Sequence, residues 1–223
     1  MLTPQAHLAA AYVLASVFSC DPQPAPPVHF NFVERPPRFV SDLPSRELRA
    51  LGPVTPGINP RDFPVTSGIT QGVVGMTDDV LFKWQELVLG GFCLYPTGVT
   101  VTVTYDATVH IATEYPRGSC RYAETEKHEQ RHVRADEDVL KQELPGMRAT
   151  AEAWAAGGSS PGPFDKAQLE TMRNLMAVKL KDALERDMIR IDQARSARQR
   201  EIDTPQEYER LSRACPAEPL PRN

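Results

Sequence analysis

Residues 121–144 read RYAETEKHEQRHVRADEDVLKQEL. The stretch holds neither Gly nor Pro, and Pro145-Gly146 follows it, so it predicts one helix. Inside it stands His128-Glu129-Gln130-Arg131-His132, an HExxH pentapeptide. Residues i and i+4 share one helix face, with Cβ atoms about 6 Å apart. Two imidazoles at that spacing converge on a Zn2+ ion about 2.0–2.1 Å from each. Glu129 sits about 100° round the helix from His128, which suits a general base toward a water that the metal activates.

The surrounding residues place that pair on the apolar side of the helix. At 100° per residue, Thr125, His128, Asp136 and Val139 fall within about 40° of His132, and Tyr122 and Leu140 within about 80°. A site there is walled from water. Asp136, one turn beyond His132, is placed to accept that ring's second N–H. The ordinary alternative is two surface or core histidines, with Glu129 paired to Lys127, Arg131 or Arg134. Arg131 also puts a charge where such pentapeptides usually carry none.

Zinc needs a third ligand. The metzincin continuation would place Gly at 135 and His at 138, where this chain has Ala135 and Asp138. On a continuing helix Asp138 points away from the pair. The other source is a carboxylate on a later helix. Residues 165–200 predict one long helix, in which Leu169, Met176, Leu184 and Ile191 lie within about 40° of Leu180. Asp187 falls in the middle of that stripe, whereas Asp182, Glu185 and Asp192 fall on the wet side. A buried carboxylate wants a metal or a cation. Asp187 is therefore the candidate third ligand, with an ion pair to Arg173 as its alternative. Glu114, Glu170 and His110 are fallback ligands, and Tyr115, Tyr122 and Tyr208 are candidates to steady an oxyanion.

Upstream, Gly98–Tyr105 (GVTVTVTY) alternates strictly between Val and Thr, which predicts a strand. Ala107–Thr113 (ATVHIAT) predicts the second arm of a hairpin, and the strand that would pair with an extended substrate. Val80–Leu89 is ambiguous between strand and helix. Of the 21 prolines, 12 lie in the first 64 residues, so residues 21–64 predict an extended arm. One edge strand through Phe30, Phe32 and Val33 and a helical turn at Ser45–Leu51 fit within it. Met147–Ala156 predicts a short helix, and Asp203-Thr204-Pro205 opens a last one, with Asp203 or Thr204 as N-cap. The order is α+β: a small antiparallel sheet, then a helical half carrying HExxH. The expected boundaries are a leader at 1–20, the arm at 21–64, a catalytic domain at 65–215 and a tail at 216–223.

The chain has 223 residues, 41% hydrophobic and 24% charged, enough for a globular core. A net charge of −4 lacks the basic footprint of a nucleic-acid binder. No run of 18 apolar residues is present, as a membrane-spanning helix would need. Leu8–Phe18 is an apolar run of signal-peptide length, and Val17-Phe18-Ser19-Cys20 has the form of a lipobox. Cys20 is thus the lipidation candidate and the possible membrane anchor. The cysteines are Cys20, Cys93, Cys120 and Cys215, with no CxxC pair. If Cys20 stays, two bridges are possible. If it is lost or acylated, one bridge and one free thiol remain. Sequence does not choose the pairing.

CRYAETEKHEQRHV, an export-like leader, a β-rich N-terminal half and a late DTPQEY segment stand together here. With these, the chain resembles a bacterial family of predicted secreted zinc-dependent proteases, over roughly residues 30–215. The resemblance implies a zincin-like fold, Zn2+ on His128 and His132, and Glu129 as the catalytic residue. It further implies a periplasmic or extracellular peptidase acting on a peptide or protein. It supplies no third ligand. The competing expectation is a non-catalytic envelope protein with a vestigial or structural metal site. A zinc hydrolase for another amide fits the same residues.

Overall fold

The computed structural model describes residues 19–51, 65–157 and 162–218. Its longest strand is β4, Phe92–Ile111. Val99, Val101, Val103, Tyr105, Ala107, Val109 and Ile111 are all buried, while the residues between them are not. This period of two runs unbroken through Asp106. The two arms expected on either side of Asp106 are therefore one strand, because Asp106-Ala107 lacks the glycine that a two-residue turn favours. The turn lies earlier. β3 (Gly68–Glu86) ends at Leu87–Gly91, where Gly90 and Gly91 take positive φ and Leu87 N donates to Gly91 O at 2.9 Å. The ambiguous stretch at Val80 is the end of β3.

Four strands form the sheet: β1 (Val28–Glu34), β4 and β2 (Arg38–Val40) in that order, with β3 also paired to β4. β2 runs parallel to β4, with Arg38 opposite Thr108, Phe39 opposite Val109 and Val40 opposite His110. This corrects the small antiparallel sheet expected from the sequence. Parallel partners need a long connection. The chain from Val40 to Phe92, through α1 (Ser45–Leu51) and β3, provides one. Ala107–Thr113 is also not a strand open to substrate. It is flanked by β2, and Ala112 N donates to Ser67 O at 2.8 Å.

The helix α2 spans Cys120–Ala156 and passes through Pro145, where a stop was expected. A proline inside a helix costs about 3 kcal/mol. Leu144, Met147, Ala151 and Ala155, all buried on one helical face, offset that cost. A 3-10 turn at Lys166–Gln168 leads into α3, Leu169–Ile202. The last helix, α4, is Pro205–Arg213, and Thr204 caps it by accepting Glu207 N on its hydroxyl at 3.2 Å.

The chain divides into two compact units. Among the described residues, the first gathers 19–31, 76–102, 145–157 and 162–187, and the second gathers 32–51, 65–75, 103–144 and 188–218. In the first, a Cys20–Cys93 disulfide packs beside Leu87, Cys93 and Tyr95. In the second, Cys120 is bonded to Cys215. Here the Cys20 thiol is taken up by the bond to Cys93, the two-bridge case of the alternatives the sequence leaves open. The apolar run at 8–18 lies outside the described residues. No described helix is long and apolar enough to cross a membrane.

Candidate metal centre

Every residue of the centre belongs to the second unit. On α2, Thr125, His128, His132, Asp136, Val139 and Leu140 are all buried, so the stripe drawn from helical periodicity is the inward face. His128 is 4% exposed and His132 7%. Their Nε2 atoms lie 3.1 Å apart. The third donor is Asp203, in the short link between α3 and α4. Its Oδ1 is 3.1 Å from His132 Nε2 and 3.3 Å from His128 Nε2.

These three residues could hold a metal ion. A tetrahedral ion with bonds of about 2.0–2.1 Å keeps its ligand atoms about 3.3–3.4 Å apart. The observed triangle, 3.1, 3.1 and 3.3 Å, is close to that size. Two imidazoles and one carboxylate suit a borderline transition ion rather than magnesium or calcium, which take oxygen cages. Three protein donors leave one tetrahedral position for water or substrate.

The outer nitrogens of both rings are held. His128 Nδ1 lies 3.3 Å from Glu207 Oε1, and His132 Nδ1 is bonded to Gln199 Oε1. Arg131 Nη2 also lies 2.9 Å from His128 Nδ1. A neutral ring with its proton on Nδ1 presents its Nε2 lone pair to the centre, the form a metal requires. Glu207 also binds Arg131 and Arg210, so the unusual charge within the pentapeptide has a partner.

Asp136 does not touch His132 directly, contrary to expectation. The longer amide of Gln199 stands between them. Its Nε2 donates to Asp136 Oδ1 at 2.7 Å and to His132 O at 3.0 Å. Asp136 Oδ2 accepts from Arg195 Nη2 at 2.6 Å and from Tyr105 Oη at 3.2 Å.

Glu129 stays outside the triangle. Its Oε2 accepts a hydrogen bond from Thr70 Oγ1 at 2.8 Å. β3 approaches it closely through Gly68, where a Cβ would fall 2.5 Å from Thr125 Cγ2 and 2.9 Å from Glu129 Oε1. Burial raises the Glu129 pKa, against the opposing pull of His128, His132 and the Thr70 bond. Burial works against a charged His132. The bond and charge of Asp203, the charge of Glu129 and the bond to Gln199 prevail and raise its pKa to about 9. Burial opposes the Asp203 carboxylate too, but hydrogen bonds from His128 and His132 hold its pKa well below the usual range.

Asp187 is buried beside the stripe of Leu180, Leu184 and Ile191, as read from the sequence. It is not a member of the group, however. It precedes Asp203 by 16 residues, about 24 Å at helical rise, and belongs to the first unit. Asp203 replaces it as third donor. By sequence Asp203 is only a possible helix cap, and no periodicity marks a ligand in a non-helical link. The signal available was DTPQEY, which carries Asp203, Glu207 and Tyr208 within six residues.

The fallback ligands are engaged elsewhere. Both Glu114 oxygens accept Ser45 N at 3.1 Å, capping α1. His110 lies between Asp42 and Gln71, each at 3.2 Å. Glu170 pairs with Arg173 on the surface of the first unit. Tyr115 and Tyr122 are buried core residues, while Tyr208 Oη donates to Asp203 Oδ1 at 3.1 Å. No family model, no curated protein and no solved structure matches this chain.

Proposed function

We propose that the protein is an exported zinc metallopeptidase with a zincin-like centre. In this reading His128, His132 and Asp203 hold Zn2+, and Glu129 is the general base. The observation that carries it is the triangle of two Nε2 atoms and one carboxylate oxygen with a buried carboxyl group on the same helical turn. Zinc at such a site lowers the pKa of a water to about 7 and polarises a carbonyl.

The chain's own residues supply the rest. Glu207 and Gln199 meet the outer nitrogens of the two rings and orient them so that both Nε2 atoms face the centre. Thr70 holds the Glu129 carboxyl group. Burial raises the proton affinity of Glu129, which suits it to take a proton from the attacking water and deliver it to the leaving nitrogen. The substrate is a peptide or protein. Two disulfides favour an oxidising, exported location.

The test is cleavage of casein and a mixed peptide pool by zinc-loaded protein, with and without chelator, beside Glu129→Ala. The expected result is chelator-sensitive cleavage, lost in the variant while zinc stays bound. Zinc-linked thermal stability without any cleavage would favour a structural metal site in a binding protein.

A further inference from the structure

Asp203, Glu207 and Tyr208 all reach the centre from one short stretch. Glu207 and Tyr208 ride on α4, whose nine residues are far too few for a helix to be stable alone. Leu211 is the buried residue of that helix. The position of α4 therefore depends on what fastens it. The surface pair Arg210–Glu124 at 2.9 Å is one tie, and exposed pairs of this kind are weak.

The stronger ties lie at the far end. Arg121, buried on the first turn of α2, donates to Leu211 O at 2.6 Å, Ser212 O at 2.8 Å, Cys215 O at 3.4 Å and Glu218 O at 3.0 Å. The last carbonyls of a helix lack intrahelical donors, and its C-terminus favours a cation. Glu218 reciprocates. Its carboxylate accepts Cys120 N at 3.0 Å and Arg121 N at 2.9 Å, amides at the start of α2. The Cys120–Cys215 bond closes the same junction covalently. His128 lies about two helical turns along α2 from this clamp.

We propose that Arg121, Glu218 and the Cys120–Cys215 bond are positioning groups for the metal centre. They seat α4, and through it they hold Glu207 on His128 and Tyr208 on Asp203. The inference rests on the reading of His128, His132 and Asp203 as a metal site. Opening the clamp leaves both histidines on α2 but releases the groups that orient His128 and Asp203, so the metal is held less tightly. Cys20–Cys93 lies in the first unit and serves as the control.

The experiment measures zinc affinity of metal-stripped protein by competition with a chromogenic chelator, with circular dichroism melting of each metal-free form alongside. Cys120→Ser with Cys215→Ser should weaken zinc by about tenfold or more, the usual scale for losing partners behind metal ligands. Cys20→Ser with Cys93→Ser should lower the melting temperature and leave zinc affinity unchanged. Glu218→Gln, with both disulfides intact, should weaken zinc by a smaller factor. It carries the test if the serine pair fails to fold. Unchanged affinity in a folded Cys120/Cys215 variant or in Glu218→Gln overturns the proposal, as does equal weakening by the control pair. A wild-type chain that takes up no zinc overturns the metal reading itself, a result distinct from these.

Discussion

The two units are each closed by one disulfide, yet their interiors differ in kind. Leu87, Cys93, Tyr95, Met176, Leu180 and Leu184 fill the first, and Asp187 is its one buried charged residue among those described. The second buries Arg121, His128, Glu129, His132 and Asp136. Charge taken out of water lowers stability unless each group is matched. Asp136 is matched by Arg195, Gln199 and Tyr105, and Arg121 by carbonyls. His128, His132 and Asp203 face one another across a space the size of a metal's coordination triangle. The first unit is therefore packed mainly on apolar side chains, and the second buries charged groups around three residues that could hold a metal ion.

That contrast breaks most visibly at the proposed metal ligands. His128→Ala or His132→Ala should abolish zinc binding and cleavage. Hydrogen exchange should quicken in residues 120–144 and 203–215, with the first unit unchanged. Equal quickening in residues 76–102 would erase the distinction. Next in size is Glu129→Gln, expected to keep zinc while turnover falls by about 10²–10⁴, the usual range for losing a general base. Turnover within a factor of two of wild type would remove Glu129 from the mechanism. Gln199→Leu should weaken zinc by about 10- to 100-fold while metal-free protein stays folded, since it strips the partner from His132. An unchanged zinc titration would show that His132 needs no such partner.

A pH series sharpens the same contrast. Metal binding requires neutral His132, whose pKa is raised to about 9. Zinc affinity should then rise by about tenfold per pH unit up to that value and level off above it. The stability of the metal-free protein should move the other way. The His132 contribution is complete below the unfolded value of about 6.5 and is lost as pH rises through the folded one. Chelator competition and thermal melting between pH 6 and 10 read both trends. Flat affinity across that range would place the controlling proton elsewhere.

Local geometry made the helix-borne half of the centre legible. The i, i+4 spacing of His128 and His132 and the stripe from Thr125 to Leu140 follow from 100° per residue alone, and all are buried as that rule requires. A cap at Asp203 or Thr204 was readable too, and of the two it is Thr204 that caps α4. Asp203 was not, because a stripe search finds only helical carboxylates and so selected Asp187. The parallel register of β2 on β4 joins residues 70 positions apart, and nothing local encodes it. The continuity of β4 was legible after all, since Val103, Tyr105, Ala107 and Val109 keep one phase across Asp106. Pro145 misled because its local penalty is outweighed by the buried face around it.

The central claim is that His128, His132 and Asp203, with no help from Asp187, bind one zinc ion. Zinc stoichiometry by plasma emission, on wild-type, Asp203→Ala and Asp187→Ala chains purified without chelator, tests it most directly. One zinc per chain in wild type and Asp187→Ala, with little or none in Asp203→Ala, is the expected result. A zinc-free wild type, or metal lost in Asp187→Ala and kept in Asp203→Ala, would contradict it.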